Sequence, residues 1–223
     1  MTLLVDVLNE KSLSDVDLVL FALPGVGDVG KNAIELLNEA NQATPAVRFI
    51  HPGLAPLARL DEDGLLSPPH IIAHRVETAN GTVILTITGR GQPSDSSQQH
   101  DFTTELLKHL SDQGMTELVV LAGLMSPPEV KEAFVVATST THRVNLEEKG
   151  IDVRRDQPSG GAIGMSALMA SLAPLFGLNS VCAMATTVGA SGDVHASLRL
   201  LEFISNGWNL DFQLPENTTS TLM

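Results

Sequence analysis

Residues 17–40, DLVLFALPGVGDVGKNAIELLNEA, constrain the fold of this chain more than any other stretch. They open with a short apolar run at residues 18–22, which predicts a buried strand. Three glycines follow, at Gly25, Gly27 and Gly30, and apolar residues then recur at the spacing of an amphipathic helix. A strand, a glycine turn and a helix in this order indicate a domain built from α/β layers.

The glycine spacing also matches the G-x-G-x-x-G fingerprint of dinucleotide-binding proteins, in which a helix start holds a pyrophosphate. That site needs an acidic residue about 20 residues further on, and residues 47–51, VRFIH, contain none. Asp28 would also place a negative charge against the phosphates. A P-loop is excluded because Lys31 is followed by Asn32. We therefore interpret the turn as a structural element, a tight strand-to-helix turn that packs against a neighbour.

Composition limits the classes of partner. The chain has 223 residues, 43% of them hydrophobic, which is enough for one sizeable core. Its formal net charge of −13 argues against nucleic acid or an anionic membrane as the main partner. We find no apolar run of the roughly 20 residues that a membrane helix needs, and no basic segment that would begin a signal peptide. The single cysteine, Cys182, is expected to be a buried core residue, and the protein to be cytoplasmic.

The rest of the chain alternates between strand and helix patterns, apart from one hairpin whose Asn80-Gly81 pair predicts a type I′ turn. Strands are predicted at residues 3–7, 18–22, 47–50, 70–77, 82–88, 117–122, 134–138 and 181–188, and helical segments at 33–40, 102–110, 146–150, 165–176 and after Asp193. Pro174 should end the fourth of these helices, with Gly177 as its cap.

This alternation predicts an α/β fold in three layers, with a mostly parallel or mixed central sheet and helices on both faces. We expect residues 1–215 to form a single domain. The polar residues 216–223 are expected to be a disordered tail.

Ligands of such sheets bind where strands end at their carboxyl side. The segments predicted to meet there are residues 25–30, 90–93, 123–126, 138–141 and 159–166. Candidate ligand-binding residues in this crevice are Gly27, Gly30, Lys31, Arg90 and Ser166. Arg143 would add positive charge.

The sequence offers no catalytic residue, metal site or cofactor site that we would assign. Ser166 lacks the surroundings of a nucleophile elbow, because Leu168 stands where that motif has glycine. The seven histidines form no spaced metal motif. These absences favour binding over catalysis.

Five blocks occur in a recognisable order: LVLFALPGVGDVGKNAIELL, ITGRGQP, ELVVLAGL, SGGAIGMSALM and GDVHASLRLLEFI. Together they resemble the proteasome assembly chaperone family, in the branch whose archaeal and bacterial members are often labelled ATP-grasp superfamily proteins. The positions that carry the resemblance are Pro24, Gly25, Gly27, Gly30, Gly89, Gln92, Pro93, Gly123, Gly161, Gly164 and Asp193.

The resemblance implies a fold similar to that of nucleoside phosphorylases and a function in protein–protein contact, with proteasome subunits as possible partners. It also implies a homo-oligomer. Archaeal relatives that dock on the proteasome use a tail of the form hydrophobic-tyrosine-any, whereas this chain ends Ser220-Thr221-Leu222-Met223 and contains no tyrosine. Docking through the tail is therefore not expected, and another surface would have to serve.

Two other functions stay open. One is an enzyme that acts on a nucleoside or a phosphorylated small molecule in the crevice at the strand ends. The other is an oligomeric scaffold unrelated to proteasomes. Residues 51–69 are rich in leucine and punctuated by proline, and they would favour a homo-oligomer. If they do not fold back onto the core, they form an exposed apolar patch.

Overall fold

The computed structural model describes residues 3–9, 13–60, 63–162 and 164–215, so the predicted disordered tail lies outside the described residues. The strands are β1 (Leu4–Val7), β2 (Leu18–Phe21), β3 (Thr44–Ile50), β4 (Arg59–Leu60), β5 (Leu66–Ser67), β6 (Ile71–Glu77), β7 (Val83–Gly89), β8 (Glu117–Met125), β9 (Ala133–Ala137) and β10 (Asn179–Thr187). The helices are α1 (Val29–Ala40), α2 (Ser96–Asp112), α3 (Thr140–Glu148), α4 (Met165–Leu172) and α5 (Val194–Trp208).

Eight strands form one mixed sheet, in the order β1-β3-β6-β7-β2-β8-β10-β9. The four adjacent strands β7, β2, β8 and β10 run parallel to one another, and the remaining pairs are antiparallel. The central strands consist of apolar residues that are buried on both faces, as expected where helices cover a parallel sheet. The predicted mixed α/β sheet is confirmed.

Helices cover the sheet on both sides, as predicted. On one side, α2 and α4 pack through side chains such as Phe102, Leu106 and Met169. On the other side, α1 and α5 pack through Ile34 and Leu200 and their neighbours, together with α3. The result is two apolar layers separated by the sheet.

The predicted type I′ turn between β6 and β7 is wrong. The carbonyl of Thr78 accepts a hydrogen bond from the N–H of Gly81, and Gly81 has φ +85° while Asn80 keeps a negative φ. A type I′ turn needs positive φ at both central residues. The hairpin instead has a three-residue loop that ends in a glycine bulge, with Thr78 and Thr82 paired across it.

Strand β8 is longer than the sequence indicated, because it continues through Gly123 to Met125. Its partner β10 pairs with it along the whole length, from Asn179 opposite Glu117 to Thr187 opposite Met125. The glycine in the strand therefore does not end it. Tertiary pairing outweighs the local tendency of glycine to break a strand.

The segment predicted as a loop at residues 51–69 contains the short hairpin β4–β5, in which Leu60 pairs with Leu66. Leu54 is buried, whereas the other leucines of the segment are exposed. The prediction for the end of α4 is confirmed: a 3₁₀ turn containing Pro174 follows it, and Gly177 caps that turn with φ +82°.

Candidate functional site

The glycine turn, residues 25–30, connects β2 to α1 at the carboxyl end of the parallel strands. It contains a 3₁₀ turn (Val26–Asp28), in which Gly27 has φ +63° and Asp28 has φ +53°. The carbonyl of Gly27 accepts hydrogen bonds from the N–H groups of Gly192 (3.2 Å) and Asp193 (3.1 Å). The turn is therefore tied to the start of α5.

Two glycines allow α1 and its turn to lie directly against β8. A Cβ placed on Gly30 would lie 2.2 Å from the carbonyl oxygen of Leu121. A Cβ placed on Gly123 would lie 2.2 Å from the carbonyl oxygen of Val26. Each glycine thus permits a backbone contact that any other residue would prevent. This packing supports the interpretation that the turn serves folding, which stays a prediction.

Asp193 joins the turn to β10 and α5. Its carboxylate accepts a hydrogen bond from the hydroxyl of Thr187 at 2.6 Å and caps α5 by accepting the N–H of Ala196 at 3.0 Å. Burial raises the pKa of Asp193, but these two hydrogen bonds and the nearby Arg199 and His195 outweigh it and hold that pKa below its usual value. We refer to Gly27, Thr187 and Asp193 as the clamp.

A cleft of about 280 Å³ opens beside the turn. It lies where the carboxyl ends of β2, β8 and β10 meet the start of α4, the edge at which ligands of α/β sheets bind. Its walls are mainly apolar, with side chains such as Leu23, Leu124 and Met184. Of the described residues that line it, none carries a charge.

The polar side chains of the cleft are neutral. The hydroxyl of Ser166 and the amide of Gln92 line it, and the amide also donates to the carbonyl of Pro24 at 3.3 Å. Cys182 forms part of the floor, where burial raises the pKa of its thiol to about 12. At neutral pH this thiol is protonated, so it is a poor nucleophile. The arrangement can hold a neutral, mostly apolar group.

The structure places the five candidate ligand residues differently. Gly30 and Ser166 line the cleft. Gly27 belongs to the clamp beneath it. Lys31 forms an ion pair with Glu35 at 2.5 Å and does not line the cleft. Arg90 is exposed and does not line it either.

The predicted contribution of residues 138–141 to this crevice is wrong. Strand β9 is antiparallel to β10, so its carboxyl end lies at the opposite edge of the sheet. There the hydroxyl of Thr138 donates to the carbonyl of Ser180 at the start of β10, 2.7 Å away. Arg143 follows on α3 and pairs with Glu147, so it adds no charge to the cleft.

Most positions of the family motifs surround the cleft. Those that line it are Pro24, Gly25, Gly30, Gln92, Gly123, Gly161 and Gly164. Gly27 and Asp193 form the clamp. Gly89 is packed against Ile71, and the carbonyl of Pro93 accepts the side-chain amide of Gln99 at 2.7 Å.

Sequence reasoning missed the sulfur-containing residues of the cleft. Met125, Met165, Met184 and Cys182 all contribute to its lining. Each lies in an apolar strand or helix, and such a pattern predicts burial without revealing which buried residues border a cavity. Position along the strand could have indicated two of these residues, because Met125 and Met184 lie near the carboxyl ends of β8 and β10.

Two general properties of the described residues bear on partners. No helix in the described ranges has the length and hydropathy to cross a membrane. The described part of the chain also contains no group of three or more His, Cys, Asp or Glu residues able to hold a metal ion.

Comparison with known proteins identifies the family. The profile of the PAC2 family matches residues 19–220. No curated protein sequence gives a significant match.

Several solved structures share the fold. PbaB from Pyrococcus furiosus, described as an archaeal proteasome activator, is 20% identical, with 96% of this chain and 92% of that chain covered and a TM-score of 0.81. PbaA from the same organism, an archaeal homolog of proteasome-assembly chaperone, is 19% identical, with coverage of 94% and 88% and a TM-score of 0.74. A proteasome-assembly chaperone homologue from Mycobacterium tuberculosis is 18% identical, with coverage of 89% and 87% and a TM-score of 0.68.

Proposed function

This chain belongs to the PAC2 family, and we propose that it acts by protein–protein contact, as a proteasome-assembly-chaperone-like protein with proteasome subunits among its partners. The family match over residues 19–220 carries this proposal. The fold shared with an archaeal proteasome activator and with proteasome-assembly chaperone homologues supports it. We place the protein in the cytoplasm, where such partners would be found.

An exposed apolar surface supports contact with other chains. Leu57, Leu60, Leu65 and Leu66 lie on or beside the hairpin β4–β5, and they are between 55% and 74% exposed. We call these four residues the leucine hairpin. Leucines exposed together in this way are typical of a surface that another protein covers.

The leucine hairpin lies next to an open edge of the sheet. Arg48 on β3 contacts Ser67 of β5 at 3.5 Å and Asp6 of β1 at 3.6 Å, so the hairpin and β1 are neighbours. Within the described residues, β1 has no strand on its outer side, and Leu4 on it is exposed. An open edge strand beside exposed leucines favours pairing between chains. We therefore propose a homo-oligomer that forms through this region.

The two other functions receive less support. An enzyme for phosphorylated substrates would need cations at the cleft, and Lys31 and Arg90 do not line it. Acid–base chemistry would need titratable side chains there, and the described lining offers only Cys182, whose thiol pKa is raised to about 12. A scaffold unrelated to proteasomes would use the same leucine hairpin and differs only in its partner.

The proposal is tested by affinity capture of the tagged, full-length chain from an extract of its native cells, followed by identification of the captured proteins. We expect proteasome subunits, reduced in amount for a variant with Leu60→Ser and Leu66→Ser. A variant with Leu175→Ser is the matched control, because Leu175 is equally exposed but lies elsewhere, after α4. Capture of other proteins without any proteasome subunit would overturn the proposal.

A further inference from the structure

The cleft has a rim of apolar side chains that are left in contact with solvent. Val26 and Met125 border the cleft and are 41% and 68% exposed, and Val188 beside them is 52% exposed. The methyl group of Met125 lies against Gly189, so the rim continues onto the segment after β10. An apolar pocket within an exposed apolar rim is the arrangement that receives an anchor side chain at a protein interface.

The chemistry of the cleft defines what can enter it. A charged group would lose its hydration without gaining a partner, because the described lining contains no charged side chain. The volume of about 280 Å³ is slightly smaller than the roughly 300–1,000 Å³ of typical small-molecule sites. Among the described residues, it also offers only Ser166 and Gln92 as hydroxyl or amide side chains to orient a ligand. An apolar side chain fits these properties better than a metabolite does.

Methionines give this pocket an adaptable wall. Met125, Met165 and Met184 all line it. The unbranched, polarisable side chain of methionine adjusts to differently shaped apolar groups, and binding surfaces that accept several partners use it in this way.

A second groove continues from the cleft between α2 and α4. Ala162 and Gly164 line both, so the two cavities lie side by side. The groove has a volume of about 390 Å³ and is lined further by polar side chains such as Gln99, His100 and Ser171. Hydroxyl and amide groups can hydrogen-bond to the backbone of an extended peptide. The groove therefore offers a path for the residues next to an anchor.

We propose that the cleft receives one apolar side chain of an extended polypeptide segment, whose basic flanking residues lie along the groove between α2 and α4. The basic character follows from charge complementarity, because the chain has a net charge of −13, and Asp28 and Asp95 directly precede Val29, which lines the cleft, and Ser96, which lines the groove. The proposal rests on the proposed function only in that the partner is a protein.

Methionine methyl groups allow a direct test with the full-length chain. The ε-methyl groups of the seven methionines would be ¹³C-labelled, and NMR spectra recorded during titration. The probes are acetyl-leucine-amide and three acetylated, amidated pentapeptides: Lys-Ala-Leu-Ala-Lys, Asp-Ala-Leu-Ala-Asp and Lys-Ala-Ala-Ala-Lys. We expect shifts at Met125, Met165 and Met184, strongest with the first pentapeptide. The acidic peptide and the peptide without leucine should bind at least about tenfold more weakly.

Three variants separate the cleft from the groove. Ser166→Phe fills the cleft, and Met125→Lys places a cation on its exposed rim. Each should weaken the binding of the Lys-Ala-Leu-Ala-Lys peptide at least about tenfold. Ser171→Phe blocks only the groove, so it should weaken the binding of that pentapeptide and leave the binding of acetyl-leucine-amide unchanged. Met125→Lys replaces an exposed side chain, so it remains informative if Ser166→Phe does not fold.

The proposal is overturned if the three methyl groups do not respond to millimolar peptide, or if the acidic peptide or adenosine monophosphate shifts them more than the basic one. These outcomes differ from failure of the proposed function. Peptide binding without capture of proteasome subunits would refute the function and leave the peptide site. Capture of proteasome subunits by the wild-type chain without any methyl shift would refute the site and leave the function.

Discussion

The glycine turn and the leucine hairpin are both prominent in the sequence, but the structure uses them in different ways. In the turn, the lack of side chains lets backbones meet, as Gly30 does against Leu121 and Gly123 against Val26. In the hairpin, large apolar side chains such as Leu60 and Leu66 have little covering them. The turn makes its contacts within the chain, whereas the leucines of the hairpin stay exposed.

This difference separates residues that hold the fold from residues available for contact. It predicts that substitutions in the glycine turn and the clamp change the free energy of unfolding. Substitutions in the leucine hairpin should instead change association. Four predictions test this distinction, in order of decreasing effect on the free energy of unfolding.

Gly30→Ala should have the largest effect. Alanine is the better helix former by about 1 kcal/mol, so propensity alone would predict stabilisation. Its Cβ, however, would lie 2.2 Å from the carbonyl oxygen of Leu121, and α1 would have to move away from β8. We expect a loss of about 3 kcal/mol or more in the free energy of unfolding, measured by urea denaturation.

Gly91→Ala is the matched control. No atom of the described residues lies within 4 Å of a Cβ placed on Gly91, and the φ of Gly91 lies outside the left-handed region. This variant should change the free energy of unfolding by less than about 1 kcal/mol. Equal effects of the two substitutions would mean that contact with β8 does not explain Gly30.

The sequence was sufficient for the layers of the fold, because patterns of buried strands and amphipathic helices carry that information. It was not sufficient for strand direction. Ala133–Ala137 reads as one more strand of an alternating α/β unit, and only its pairing with β10 shows that it is antiparallel. Because β9 is antiparallel to β10, Thr138 lies at the edge of the sheet opposite the cleft. Strand direction depends on long-range pairing, which local periodicity does not record.

The candidate site, like the fold, could be predicted only in part from the sequence. Ser166 and Gly30 were expected at the strand ends and line the cleft, because the turn and α4 begin there. Lys31 and Arg90 were expected beside them on chemical grounds. A lysine on a helix can pair with an acid four residues later, as Lys31 does with Glu35, and a spacing of this kind competes with any ligand role.

The second prediction concerns the clamp. Asp193→Ala removes the cap of α5 and the acceptor for the Thr187 hydroxyl, so we expect a loss of about 1–2 kcal/mol near neutral pH. The folded state holds the pKa of Asp193 below its unfolded value, so this contribution is present above the unfolded pKa. It should disappear as the pH falls from about 4 through the folded pKa.

Denaturation curves of the wild type and the variant across this pH range provide the measurement. Asp95→Ala is the matched control, because Asp95 caps α2 through Ser97 and Gln98 but lies outside the clamp. Its loss should be smaller, about 0.5–1 kcal/mol, since the site is exposed. A larger effect at Asp95 than at Asp193 would show that the clamp adds nothing beyond a helix cap.

The third prediction uses two threonines that point to the same face of β7. The hydroxyl of Thr88 is buried without a hydrogen-bond partner among the described residues, whereas that of Thr86 donates to Asn38 at 2.8 Å. Thr88→Val should therefore stabilise the fold by about 1 kcal/mol, and Thr86→Val should destabilise it by about the same amount. Thermal unfolding of both variants gives the comparison. Stabilisation by both substitutions would mean that the hydrogen bond from Thr86 to Asn38 on α1 does not raise the free energy of unfolding.

The fourth prediction returns to the leucine hairpin and has the smallest effect on unfolding. Leu60 and Leu66 are paired across the hairpin and are 71% and 74% exposed. Their joint replacement by serine removes little buried surface within one chain, so the free energy of unfolding of the monomer should change by less than about 0.5 kcal/mol. The mass measured by light scattering at micromolar concentration should instead fall from that of an oligomer to 23.7 kDa.

Leu175→Ser is the control for this variant, because Leu175 is 79% exposed but follows α4, away from β4 and β5. If exposure alone promoted association, Leu175→Ser would lower the mass as well. If the leucine hairpin is the contact, only the double variant does so, because an interface needs apolar groups that lie together beside an open strand edge. A wild-type mass of 23.7 kDa across a wide concentration range would show that the leucine hairpin does not join copies of this chain.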